Sequence, residues 1–309
     1  MPFGRRVPPL SPLLRMDLHK LWDDLRRHDS ALWRRALDAG VTYGPDALVR
    51  YSPPFFGLAV AAALPEKRRV VRESLRRALG PRPPLREALD VAAVFSNFAS
   101  SLTDAFVAGS GRGAALSVRC GEERLIEETL REGAGMILAT AHTGGWQVAG
   151  LGLQSLHGAE LILVMQKERD QGAQQLTDAA RRRAGVRVAH LGDDPLGALP
   201  LLAHLRKGGV VAIQIDRLPQ GMRGRKSELF GAPFEVPEGP LRLAAASGAP
   251  IVPVFTRRLG YMDYDVTVAE PVRLSRRPGS ADLDGAARAI LRAMEAFVRD
   301  NPTQWFHFA

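Results

Sequence analysis

From about residue 115 onward, short apolar runs alternate with stretches whose apolar residues recur every three or four positions. Met136–Ala141, Glu160–Gln166, Val186–His190, Val210–Asp216 and Ile251–Thr256 have the length and aliphatic content of buried strands. Residues 122–131, 146–157, 172–184, 195–207 and 238–247 carry the helical period between them, and Asp282–Asn301 reads as a further helix. Asp263–Val268 is expected to pair with the strand before it. Such alternation predicts a largely parallel central sheet flanked by helices.

Ahead of residue 115 the period is helical throughout. Residues 17–39 place Leu18, Leu21, Trp22, Leu25, Leu32, Trp33, Ala36 and Leu37 on one side, with Gly40 as a stop signal. Pro53-Pro54 precedes an apolar helix candidate, Pro65 opens a basic helix running to Gly80, and residues 85–108 form another. The fold class is therefore α/β, with a helical N-terminal region over 1–114 and an α/β domain over 115–309. Gly-Ser-Gly-Arg-Gly at 109–113 lacks the Lys-Ser/Thr and strand context of a phosphate loop and reads as a turn. Arg217 to Pro237, rich in Gly, Arg and Lys, reads as a loop. The aromatic tail Trp305-Phe306-His307-Phe308 is expected to pack back on the domain.

Two of the predicted strands end in chemistry. His142 follows the first, and Asp216 ends the fourth. In a parallel sheet both emerge at the carboxyl edge, where open α/β folds bind ligands. Gly144 and Gly145 allow a tight turn and close approach of a ligand to the backbone. Trp146 and Gln147 then start a helix whose free N–H groups face an anion or oxyanion. A histidine here serves as general base when a carboxylate fixes its tautomer and stabilises the imidazolium. Gln147, five residues on, offers a carbonyl to the ring but no charge. Either the Gln147 oxygen alone orients the ring, or another carboxylate, Glu238 or Asp216, fills the gap.

Composition narrows the partners. The net charge of +9, mostly from arginine, favours an anionic partner: lipid headgroups, a phosphate-bearing substrate, an acidic carrier protein or nucleic acid. With 6% aromatics and no basic-aromatic alternation, nucleic acid drops out of the expectation. The seven histidines do not cluster at ligand spacing, so no metal is expected. Gly-x-Ser-x-Gly is absent, which removes a nucleophile elbow. Cys120 is the one cysteine and reads as part of a junction before a helix; without disulfides the cytoplasmic side fits. No stretch reaches the roughly 18–20 apolar residues of a bilayer span. The uncharged run Tyr51–Leu64 suits either burial or a membrane interface. The basic face of residues 65–80, with Val70, Val71, Leu75 and Leu79 opposite, suits solvent or anionic lipid.

An ordered set of short motifs adds a resemblance. His142-Thr-Gly-Gly-Trp-Gln147 is similar to the His-x-Gly-Asn-Trp-Glu form of a His-x4-Asp/Glu motif. It is followed by Ile213-Gln-Ile-Asp216-Arg217, Leu229-Phe230-Gly231-Ala232-Pro233-Phe234, Pro237-Glu238-Gly239-Pro240, Pro250-Ile251-Val252-Pro253 and Pro302-Thr303-Gln304-Trp305-Phe306. The order and spacing resemble the bacterial lipid A biosynthesis acyltransferases, the lauroyl/myristoyl group, and related mannoside acyltransferases. That resemblance implies a glycerophospholipid-acyltransferase-like α/β core. It implies transfer of a fatty acyl chain from acyl carrier protein or coenzyme A to a hydroxyl or amine of a membrane lipid. No cofactor is needed beyond that thioester donor. His142 and Gln147 would be catalytic, and Gly144, Gly145, Trp146, Arg169, Asp216, Arg217 and Glu238 would bind substrate. The expected partners are the lipid acceptor, the carrier or coenzyme A thioester and an anionic membrane surface, met peripherally at the cytoplasmic face of the inner membrane. Gln147 in place of the motif acid and Arg217 in place of the usual Gln are departures. They leave open a catalytically impaired relative that binds lipid or acyl carrier protein.

Overall fold

Nine strands and ten helices are named below from a computed structural model that describes residues 31–148, 150, 158, 160–167, 170–191 and 197–308. The strands are β1 (Ser117–Cys120), β2 (Met136–Thr140), β3 (Leu161–Gln166), β4 (Arg187–Leu191), β5 (Val210–Gln214), β6 (Gly224–Leu229), β7 (Ala232–Pro237), β8 (Ile251–Gly260) and β9 (Asp263–Val268). Seven of them make one sheet in the order β1-β9-β8-β2-β5-β3-β4. From β8 to β4 all neighbours are parallel. The hairpin from β8 to β9 reverses direction, and β1 runs beside β9. The expected largely parallel sheet is present, with β8 and β9 paired.

The helices are α1 (Ala31–Tyr43), α2 (Asp46–Tyr51), α3 (Pro53–Ala63), α4 (Pro65–Leu79), α5 (Pro84–Ala108), α6 (Glu123–Arg131), α7 (Gln171–Arg183), α8 (Leu199–Arg206), α9 (Gly239–Ser247) and α10 (Ser280–Asp300). Proline opens α3, α4 and α5, where its missing N–H costs nothing. The central strands bury both faces, so they read as continuous apolar runs. Their odd residues Ile137, Ala139, Val211 and Ile213 pack under α8, α9 and α10. The even residues Met136, Leu138, Val210 and Ala212 pack with Val41, Phe106 and Ile126 from α1, α5 and α6. A third cluster joins α3, α4 and α5 through Ala61, Val71, Leu75, Val94 and Phe95, and the tail residue Phe306 belongs to it.

Several expectations are revised. Helix α1 runs through Gly40 to Tyr43, because α1 packs on α5 and α7 and tertiary contact outweighs one glycine. The stretch 217–237 holds the β6–β7 hairpin, turned at Phe230 (φ 53°) and Gly231 (φ 72°). Its glycines and charges masked a hairpin with one solvated face. Ser117–Cys120 is an edge strand, not a junction. Helix α5 is long and apolar enough by composition to cross a membrane, against the expectation, although half of its apolar window is buried in the protein. The expected helical segment around Leu18–Leu25, residues 151–157 of the helix opened by Trp146, and Arg169 lie outside the described residues.

Buried charge ties the helices to the sheet. Asp104 on α5 accepts from Arg258 Nε at 2.8 Å, from the Met262 backbone N–H at 3.2 Å and from the Tyr264 hydroxyl. Burial, reinforced by Asp104, pushes the Tyr264 phenol well above its usual range. Arginines also close helix ends. Arg68 donates to Ala62 O at 2.7 Å, Arg112 to the Val41 and Gly44 carbonyls, Arg183 to Gly109 O at 2.9 Å, and Arg206 to Ala246 O at 3.2 Å. Each satisfies carbonyls that a helix terminus leaves open and opposes its partial negative charge.

Candidate functional site

Strands β2 and β5 pair in register from Met136↔Val210 to Thr140↔Gln214. The residues two steps further on, His142 and Asp216, therefore arrive side by side at the carboxyl edge. His142 Nδ1 donates to Asp216 Oδ1 at 2.8 Å. The other carboxylate oxygen accepts the His142 backbone N–H at 3.1 Å and Trp305 Nε1–H at 3.1 Å. Asp216 is fully buried, at 0% exposure. Burial pushes its carboxyl up, but His142, Arg217 and the Trp305 N–H together outweigh burial and hold it below the usual carboxylate range.

An ionised carboxylate only accepts, so Nδ1 carries the ring proton and the neutral ring presents the lone pair of Nε2. Among the described residues Nε2 takes no hydrogen bond, and His142 lines a cavity of about 770 Å³. One wall comes from Val60 and Leu64 of α3 and its end, with Phe95 and Phe98 of α5. Val164, Leu201, Ile213 and Leu243 from the sheet, α8 and α9 line it as well. Arg217, Arg223 and Arg242 lie along it with Glu238. Two buried donor atoms on the lining, Gln214 Nε2 and Arg217 Nε, have no partner among the described residues.

Gln147 faces the cavity but serves a different neighbour. Its Oε1 accepts Arg181 Nε–H at 3.1 Å, so the expected contact with the histidine ring is not made. Asp216 has taken Nδ1, and Arg181, held on Asp178 at 2.9 Å, competes for the amide oxygen. Glu238 does not fill that role either. It pairs with Arg225 and Arg242 at 2.8 Å each, and the Arg225 hydrogen bond leads in lowering its carboxyl against burial. Gly144 and Gly145 are pressed on protein rather than open to a ligand. A Cβ on Gly144 would meet Gln304 Oε1 at 2.2 Å, and one on Gly145 (φ 70°) would meet the Tyr264 ring at 2.1 Å. Neither glycine lines the cavity, whereas Trp146 does. Arg217 donates to Phe306 O at 2.7 Å. Burial pulls its guanidinium down while Asp216 pushes it back up. Burial pushes the Cys120 thiol up to about 11, far from a nucleophile. Among the described residues no group of His, Cys, Asp and Glu could hold a metal.

The sequence profile of the bacterial lipid A biosynthesis acyltransferases matches residues 52–309. The chain belongs to this family. It is also similar to phosphatidylinositol mannoside acyltransferases of Mycobacterium tuberculosis, strains H37Rv and CDC 1551. With each it shares 29% identity over 129 residues, 41% of this chain and 40% of the relative. The match thus spans less than half the length of those relatives.

For this member of the lipid A acyltransferase family, the sequence marked both ends of the dyad and placed Trp146, Gln147, Arg217 and Glu238 near it, where all four line the cavity, but missed the roles of Trp305, Arg181 and Gln214. Trp305 was visible as part of an aromatic tail and of the closing motif, without a role at the dyad. Arg181 and Gln214 sit in ordinary helix and strand contexts, and no local spacing separates them from core residues.

Proposed function

We propose that this protein transfers a fatty acyl chain from an acyl thioester, carried by acyl carrier protein or coenzyme A, to a hydroxyl or amine of a membrane lipid. His142 is the general base. Its Nε2 takes the acceptor proton as the acceptor oxygen or nitrogen bonds to the thioester carbonyl carbon. Collapse of the tetrahedral intermediate breaks the C–S bond, and the proton passes from His142 to the departing thiolate. Asp216 stabilises the imidazolium in between. The observation that carries the reading is the His142–Asp216 pair, whose free nitrogen faces an apolar cavity with cationic groups along it. Apolar walls suit acyl chains, and Arg217, Arg223 and Arg242 suit phosphate on donor or acceptor.

The impaired-relative reading rested on Gln147 lacking a charge. Asp216 beside the ring favours the active reading over it. Attachment is peripheral, through the exposed apolar residues of α3 and the arginines of α4, at the cytoplasmic face of the inner membrane. The test is acyl transfer by purified protein with acyl carrier protein and coenzyme A thioesters and extracted bacterial lipid, read by mass spectrometry. His142→Ala abolishes turnover, and Asp216→Asn lowers kcat by roughly 10³–10⁴-fold. Turnover indifferent to His142 overturns the mechanism.

A further inference from the structure

Residues 305–308 touch both members of the dyad at once. Trp305 Nε1 donates to Asp216 Oδ2 at 3.1 Å. The Phe306 backbone N–H donates to His142 O at 2.7 Å, and Phe306 O accepts from Arg217 at 2.7 Å. Thr143 forms a bridge with Trp305. The tail is itself held from the far side. Lys67 Nζ donates to Phe308 O at 2.9 Å, Asn97 Nδ2 to Thr303 O at 3.1 Å, and Ser74 Oγ lies 3.2 Å from His307 Nδ1. Trp305 is 6% exposed, with the His307 and Phe230 rings at 4.9 and 5.9 Å. An indole packed only for its area does not need its N–H on a buried carboxylate.

We infer that Trp305 is a positioning residue for the dyad: its N–H holds Asp216 Oδ2 so that Oδ1 stays on His142 Nδ1. Oδ2 accepts from the His142 backbone as well, so among the described residues the indole is the one side-chain donor that fixes the carboxylate plane from outside the β2–β5 pair. Without it Oδ2 keeps only the His142 backbone donor: more of the carboxylate charge falls on the imidazole, whose bond to Oδ1 persists, but the carboxylate plane, and with it the aim of the ring, is held less tightly. The inference rests on the proposed role of His142 as base, but part of its test does not.

That part is the titration of His142, followed by imidazole NMR with His142→Gln assigning the signal. Trp305→Phe keeps the ring packing and removes the donor. The His142 midpoint moves upward, because the carboxylate has lost a competing proton donor and pairs more strongly with imidazolium. In the transfer assay kcat falls roughly tenfold to a hundredfold with KM little changed. In an Asp216→Asn background the same substitution costs almost nothing further. Should Trp305→Phe not fold, benzothienylalanine at position 305 supplies the indole shape without its N–H. An unmoved His142 titration, or an equal loss in both backgrounds, overturns the inference. A moved titration in a protein that transfers no acyl chain leaves Trp305 as positioning residue and removes the proposed function instead.

Discussion

At position 147 the carboxamide oxygen takes the Arg181 Nε–H at 3.1 Å, while the histidine proton goes to Asp216 at 2.8 Å. Restoring the motif acid therefore adds charge beside Arg181, not beside the ring. Gln147→Glu is expected to leave kcat within an order of magnitude of the parent. A large gain would mean that the new carboxylate captures His142 Nδ1 and displaces Asp216. The candidacy of His142 and Asp216 was legible in the sequence because each ends an apolar run, and strand ends can be read from hydropathy. Which carboxylate meets the ring was not legible. That choice depends on which strands are neighbours and on their register. Gly144 and Gly145 were legible as tight backbone but not as to what they approach. Gln304 and Tyr264, which press on them, are more than a hundred residues away in sequence.

Among the elements, α3 and α4 carry the membrane reading. Phe55 and Phe56 are 70% and 63% exposed, and Leu58 and Val60 are also exposed, on a helix whose other side packs on α5. Beside it, α4 turns Arg69, Arg72 and Arg76 away from buried Val71 and Leu75. Sedimentation with vesicles of anionic phospholipid at low salt should carry the protein down. Phe55→Ser with Phe56→Ser should leave it in the supernatant without loss of folding, since neither ring is in the core. Rising salt should weaken what remains, because the arginines act through a screened attraction. A parent protein that stays in solution at low salt removes this surface from the proposal. Helix identity here was legible from period and proline alone. The α1 end and the β6–β7 hairpin were not, because packing and cross-strand pairing decide them.

For the whole molecule, the tail links the helical layer to the sheet edge, and its histidine makes that link sensitive to acid. Burial leads in pushing His307 down to about 4; Asp216 pulls it up, and Arg217, His142 and Arg77 add to the depression. The unfolded chain takes its proton near 6.5. This contribution to stability is therefore full above about pH 6.5, declines as pH falls toward about 4, and is then exhausted, a loss of up to roughly 3 kcal/mol. Asp216, held low in the folded protein, adds its own loss at more acidic pH. Urea melts between pH 4 and 7 should show that decline, and His307→Gln should flatten it. An unchanged slope in the variant assigns the acid sensitivity to other groups. The arginine excess also reads differently at this scale. It pointed to anionic partners, yet Arg68, Arg112, Arg183 and Arg206 are engaged by the protein's own helix carbonyls.

The pairing Thr140↔Gln214 makes the partner of His142 a matter of lateral neighbourhood. His142 and Asp216 descend from separate strands, 74 residues apart along the chain. The intervening loops and helices can then lengthen, shorten or exchange without altering the distance between the two side chains. A slip of one residue between β2 and β5 would turn Asp216 to the opposite side and disarm the pair with every side chain still present. Inspection of a fixed window downstream of the histidine would overlook the carboxylate that the observed register supplies. Inspection across the sheet finds it at once.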